Sequence, residues 1–153
     1  MPEKPQQSTE DRLTVGGTGY RYCISLRVTH PSRSLDDLTV ELGIVPNRTW
    51  RAGEPRTSPR GKPLKGVYGE HYWTARLVDG VSTDRDLATA LAAVLDSLFV
   101  KKEFIANLSK SGGRSEFFIG WFFDEGNSGD VFSSTLLGQL ADFCIDLSFD
   151  VYP

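Results

Sequence analysis

The sequence predicts an α+β domain of the ferredoxin-like class, and three observations carry that expectation. Stretches with period-two hydrophobicity alternate with stretches of helical spacing. Their order reads strand, helix, strand, a long helical segment, then strand, helix, strand. The 153 residues, 39% of them hydrophobic, suffice for one core and not for two. Two split β-α-β units satisfy this order, packing helices on one face of an antiparallel four-stranded sheet, with an extra helix between the halves.

Residues 1–19 carry Pro2, Pro5 and the run Gly16-Gly17-Thr18-Gly19 and read as a flexible leader, with residues 20–153 forming a single α+β domain. From Tyr20, Tyr22, Ile24, Leu26 and Val28 alternate with Arg21, Cys23, Ser25 and Arg27, the pattern of a half-buried strand that Pro31 ends. Ser34 as N-cap, with Asp37 in capping-box position, introduces a short helix through Leu35, Leu38 and Leu42, stopped by Gly43 and Pro46. Residues 46–66 hold four prolines and no periodicity, so a loop is expected. His71 to Val78 forms a second strand with Trp73, Ala75 and Leu77 on one face and Tyr72, Thr74 and Arg76 on the other.

Thr83 and Asp86 offer a capping box for the longest helix, in which Leu87, Leu91, Val94, Leu95 and Leu98 share a face. Phe104, Ile105 and Leu108 continue a helical stripe after a bend near Lys101, until Gly112-Gly113 stops it. Ser115 to Asp124 is a third strand with Phe117, Ile119, Trp121 and Phe123 on one face. Ser133 or Ser134 caps a last helix in which Leu136, Leu137, Leu140, Phe143 and Cys144 share a side. A final strand alternates Leu147, Phe149 and Val151 with Ser148, Asp150 and Tyr152.

Composition narrows the function classes. Charged residues are 24% and the net charge is −3, values of an ordinary folded domain and not of a disordered tail. No run approaches the length of a membrane-spanning helix, and the first residues lack the apolar core of a secretion signal, so a cytoplasmic protein is expected. Cys23 and Cys144 lie in no metal-binding or redox spacing and are expected to be reduced. No catalytic, cofactor or metal motif is present, so neither a cofactor nor a metal is expected.

Several short motifs occur in a set order: Leu42-Gly43-Ile44-Val45-Pro46, then Arg48-Thr49-Trp50-Arg51-Ala52-Gly53-Glu54, then Tyr72-Trp73, and last Leu147-Ser148-Phe149-Asp150-Val151-Tyr152. In this order and spacing, over about residues 20–152, the chain resembles the bacterial family called domain of unknown function 4279. The resemblance implies a small bacterial cytoplasmic domain and supplies no activity, substrate or catalytic residue.

Two surfaces stand out. Residues 46–66 hold six basic side chains against Glu54 alone, a net of +5 that leaves −8 for the remaining chain. Arg48, Arg51, Arg56 and Arg60, with Trp50 among them and Trp73 nearby, offer guanidinium forks and indole rings to an anionic partner. The competing interpretation makes Trp50 an anchor folded back onto the core. The second surface is the non-core sheet face, where Arg21, Arg27, Tyr72, Arg76, Phe118, Phe122 and Tyr152 interleave rings with arginines, as on platforms that stack single-stranded nucleic acid. A sequence pI near 5.4 opposes that reading, and apolar residues on both faces of the Phe118 strand favour a covered face or a homodimer instead.

The expectation is therefore a non-enzymatic protein-binding or regulatory module that uses the basic Trp-containing loop toward a protein partner or itself. Single-stranded nucleic-acid binding on the sheet face is the alternative. A third reading, an enzyme acting on an anionic small molecule, requires a pocket joining His71, Trp73 and the basic loop.

Overall fold

In the computed structural model, which describes residues 19–153, the first strand is β1 (Tyr20–His30). The leader expected over residues 1–19 lies, apart from Gly19, outside the described residues. Tyr20, Tyr22, Ile24, Leu26, Val28 and His30 point into the core, and β1 sits at the centre of the sheet. The chain continues through α1 (Leu38–Leu42), β2 (Arg48–Trp50), β3 (Pro55–Thr57), β4 (Pro63–Val67) and β5 (His71–Val81). It then forms α2 (Leu87–Leu98), α3 (Lys102–Lys110), β6 (Arg114–Phe123), α4 (Ser134–Asp142) and β7 (Ile145–Tyr152).

The broad α+β class holds, but the plain four-stranded ferredoxin-like sheet does not. The main sheet has five strands in the order β2-β5-β1-β6-β7, and β3 and β4 form a separate two-stranded hairpin. β1 pairs antiparallel with its direct neighbour β5, so the first β-α-β stretch is not split. β6 and β7 pair parallel as adjacent strands joined through α4. The split unit is the middle one: β5 and β6 both run antiparallel to β1, which lies between them, and α2 and α3 make the connection. Alternation and helix spacing report which side of each element is apolar and leave the choice of neighbour open.

α1, α2, α3 and α4 contribute Leu38, Leu91, Ile105 and Leu140, among others, to one core against Ile24, Leu26, Trp73, Phe117 and Ile119. Burying each such large side chain contributes about 1.5–3 kcal/mol. A bulge pairs Ile24 with Val78 but Ser25 with Arg76, so Leu77 is the extra residue of β5. Beyond it the core-facing positions of β5 pass from Trp73 and Ala75 to Val78 and Gly80. The strict alternation expected through Leu77 therefore fails at the bulge.

Cap chemistry sharpens several boundaries. α1 starts one turn later than expected: Ser34 Oγ accepts from Asp36 N–H, Asp37 is taken by an ion pair with Arg33, and no side chain caps the helix. Asp86, not Thr83, caps α2 by accepting from Thr89 N–H at 2.7 Å. Tyr20 Oη and Asp130 Oδ2 take the next amides, Leu87 N–H and Ala88 N–H, so the first turn of α2 is saturated. A 3₁₀ turn over Phe99–Lys101 produces the bend expected near Lys101. Ser133 caps α4, yet Leu137 is half exposed and Cys144, left-handed at φ 54°, falls outside the helix, so these two leave the expected apolar side. Among the described residues, no helix is long and apolar enough to cross a membrane.

Candidate functional site

The two surfaces singled out in the sequence are one surface. β2 pairs with β5 so that Arg48 opposes Thr74, Thr49 opposes Trp73, and Trp50 opposes Tyr72. Thr49 therefore shares the core side with Trp73, while Arg48 and Trp50 share the opposite side with Tyr72 and Arg76. Across β1 and β6 that same side carries Arg21, Arg27, Phe118 and Phe122, and it ends on Tyr152 of β7. The helices pack on the other side, and among the described residues this face stays half exposed.

The segment expected to be a structureless loop is built as an edge strand and a hairpin. Its turn, Ser58 to Lys62, closes through Gly61 N–H to Ser58 O and Ser58 N–H to Lys62 O, each 2.8 Å. Every residue of β3 and β4 is exposed, so the hairpin is an arm carrying Arg56, Arg60, Lys62 and Lys65. Trp50 is the hinge post of that arm. Its indole stacks between Tyr72 (3.9 Å between ring centres) and Tyr68 (4.3 Å), both within 11° of parallel. The anchor is therefore a ring sandwich on the open face, and the expected alternative of a core anchor fails. Arg48 donates to Thr57 O at 2.6 Å and to Tyr68 Oη, with its guanidinium 4.9 Å from the Trp50 ring. The Tyr68 hydroxyl accepts from Thr57 N–H, and its bonds to Thr57 hold it below the usual phenol range.

Tyr68, which follows β4, carries no signal of its own in the sequence, because a strand of five residues with two glycine or proline positions shows no periodicity. The Pro59-Arg60-Gly61 turn between two short β-capable segments was the available signal.

The rest of the face divides by charge. On the β6–β7 flank Arg114 pairs with Glu116 and with Asp146, each at 3.0 Å, and Ser148 donates to Glu116. Arg27 lies over the Phe118 ring at 3.5 Å and within 3.9 Å of Glu116. Phe122 stacks on Tyr152 at 4.7 Å, with the Arg21 guanidinium 5.5 Å from its centre. Toward β5 and β2, Arg76 pairs with Asp79, while no ion pair forms at Arg21 or Arg48 among the described residues. Two depressions run along β1 and β5 on this side. One of ≈ 510 Å³ is lined by Arg21, Arg76 and Phe122 with Asp79 and Asp84, its charges balanced, and one of ≈ 340 Å³ by Ser25, Arg27, Tyr72 and Arg76 with no carboxylate.

Two predicted site residues fall elsewhere. Trp73 is 1% exposed, with its indole N–H donating to Thr39 Oγ1 on the helix side. Arg51 turns away from the arm, and its guanidinium holds Asp36 in a two-point pair at 2.8 and 3.2 Å. The bond from Arg51, then that from Ser34, keeps the Asp36 carboxyl below the usual carboxylate range.

Trp50, Arg51, Tyr72 and Trp73 do line a cleft of ≈ 450 Å³ with Leu35, Asp36, Thr39 and Glu54. Its one cation is engaged by Asp36, and Glu54 accepts from Arg51 N–H, so the lining has more negative than positive charge. That balance disfavours the anionic substrate of the third reading, and His71 is not in the wall. His71 instead lies directly opposite His30 across β5 and β1. His30 is buried as a turn anchor, its Nδ1 accepting from Ser32 and Arg33 N–H and its Nε2 meeting Ser111 Oγ. Among the described residues no group of three His, Cys, Asp or Glu side chains is placed to hold a metal ion, and both cysteines are free.

The family described as Domain of unknown function (DUF4279) matches residues 19–153. No curated protein and no solved structure matches the chain.

Proposed function

The chain belongs to the DUF4279 family, and we propose that it is a cytoplasmic, non-catalytic binding module that engages an acidic partner protein on the open sheet face and the basic arm. One observation carries this reading: the β2–β5 register places Arg48 and Trp50 on the same open side as Arg21, Tyr72 and Arg76. Basic side chains then continue from Arg27 and Arg76 in the smaller depression, past Arg48, onto Arg56, Arg60, Lys62 and Lys65, on a protein otherwise acidic. Guanidinium forks suit carboxylate partners, and mutual repulsion from the acidic remainder favours one docking orientation.

The rings support a protein partner over single-stranded nucleic acid. Stacking platforms need free ring faces. Here both faces of Trp50 are taken by tyrosines, Phe118 is capped by Arg27, and Phe122 rests on Tyr152. The rings therefore stiffen the face and hold its arginines in place.

The test is calorimetric titration of the full chain with an oligoglutamate peptide and, separately, with a mixed-sequence single-stranded oligonucleotide. The peptide is expected to bind, more weakly as salt rises, and to lose affinity with Arg21→Ala/Arg48→Ala. Unchanged affinity in that variant would sink the proposal. Tighter oligonucleotide binding that disappears with Phe118→Ala/Phe122→Ala would transfer the face to nucleic acid.

A further inference from the structure

The two edges of the main sheet are treated differently. At one edge β2 is three residues long and runs into the Pro55-led hairpin, which leaves little backbone for another strand. At the other edge β7 is eight residues long and has no bulge and no Lys, Arg or Pro within it. No backbone partner outside β6 is made by Ile145–Tyr152 among the described residues. Its core-side residues also break the usual burial rule: Phe149 and Val151 are 41% and 56% exposed. Phe149 touches Trp121 and Phe132, each at 5.7 Å between ring centres, so the apolar core reaches this edge without being closed there.

We propose that a second copy of this chain closes the edge, pairing β7 antiparallel with its counterpart about a two-fold axis at Phe149. The register follows from side-chain chemistry. Antiparallel residues directly opposite each other point to the same face, so the axis must pass through a residue position. An axis at Ser148 sets Asp146 against Asp150 of the second copy, and one at Asp150 sets that carboxylate against itself. Like charges directly opposed are destabilising. An axis at Leu147 leaves only Ile145–Phe149 overlapping.

The axis at Phe149 overlaps residues 146–152 and opposes no two carboxylates. It sets Phe149 against Phe149 and Leu147 against Val151 on the apolar side. On the open side it sets Ser148 against Asp150 and Asp146 against Tyr152. The pairing is isologous, as a closed dimer requires.

The consequence for the open face is geometric. Two five-stranded sheets become one of ten strands, with the two β2 strands (Arg48–Trp50) at its far ends, about 43 Å apart along the sheet at nine strand spacings of about 4.8 Å. The dimer does not depend on what the open face binds, so either reading can fail alone.

Sedimentation equilibrium of the full chain tests this, with circular dichroism checking that each variant folds. The wild type is expected to sediment as a concentration-dependent dimer. Val151→Lys, which places a charge on an already exposed edge position, is expected to give a folded monomer. Ser148→Lys sets a lysine against Asp150 of the second copy twice per dimer and is expected to tighten the dimer about two- to thirty-fold. A wild-type monomer at every concentration, a dimer that survives Val151→Lys, or a dimer unchanged or weakened by Ser148→Lys would each overturn the proposal.

Discussion

Replacing Tyr20 by Phe removes one oxygen atom and leaves its ring contacts with Trp121, Phe123 and Tyr22 in place. That oxygen joins the first residue of β1 to the start of α2. It accepts from Leu87 N–H at 2.9 Å and donates to Asp130 Oδ2 at 3.0 Å. Leu87 is fully buried, so water cannot reach the stranded amide, and an unmet buried donor costs about 1–3 kcal/mol. Asp130 keeps Ala88 N–H at 2.8 Å but loses a charge-assisted partner. Together the loss is about 2–4 kcal/mol at neutral pH.

Ionisation of the same hydroxyl gives a second, separate readout. Burial first, then the neighbouring Asp130 carboxylate, pushes the Tyr20 hydroxyl from 10.0 up to about 12, against the opposing pull of Leu87 N–H. Between those values the folded chain holds a proton that the unfolded chain has released, so stability falls as pH rises. The penalty on the ionised form, on the order of 2–3 kcal/mol for a shift of this size, is absent below pH 10.0 and fully felt above about 12. Urea unfolding of wild type and Tyr20→Phe, repeated from neutral pH into this alkaline range, reads both numbers. Tyr22, also raised chiefly by burial, retains part of the slope in both proteins. A neutral-pH loss below about 0.5 kcal/mol, well under the range for a stranded amide, would refute the reasoning. So would parallel alkaline slopes.

Two further outcomes follow from close contacts and caps. A Cβ at Gly80 would lie 2.5 Å from the Tyr22 hydroxyl, which donates to Arg85 O, so Gly80→Ala is expected to cost about 1–3 kcal/mol; an unchanged melting temperature would contradict that contact. Asp86→Ala is expected to cost about 1 kcal/mol at neutral pH through loss of the α2 cap. The bond from Thr89 holds the Asp86 carboxyl below its usual range. The stability difference between wild type and variant is therefore present above the unfolded-chain value and shrinks as pH falls through the folded one. A difference that stays constant through acid titration would exclude the cap.

Much of the architecture was legible locally. The β1 alternation, the Leu87–Leu98 stripe, the bend at Lys101, the Ser133 cap and the facing of Phe117, Ile119 and Trp121 all follow from side-chain period and end chemistry, which act over a few residues. The candidate site was legible in its parts. Arg48 and Trp50 were picked out by charge and ring content, and Arg21, Arg27 and Phe118 by alternation. Trp73 and Arg51 were grouped with them by proximity in sequence, and the fold sends both elsewhere.

What the sequence by itself determined was which residues face inward and where most elements begin and end. Only the tertiary structure decided which strand lies beside which, that residues 46–66 form an edge strand and an arm, and that two surfaces join into one. Period two records the side on which a residue lies, and says nothing of its neighbour across the sheet. Neighbours are chosen by burying several apolar faces at once, a condition met by contacts such as the Tyr20 ring against Trp121, 101 positions apart. The bulge at Leu77 and the β2 register arise from that same long-range fit, and they placed Trp50 beside Tyr72 on the open face.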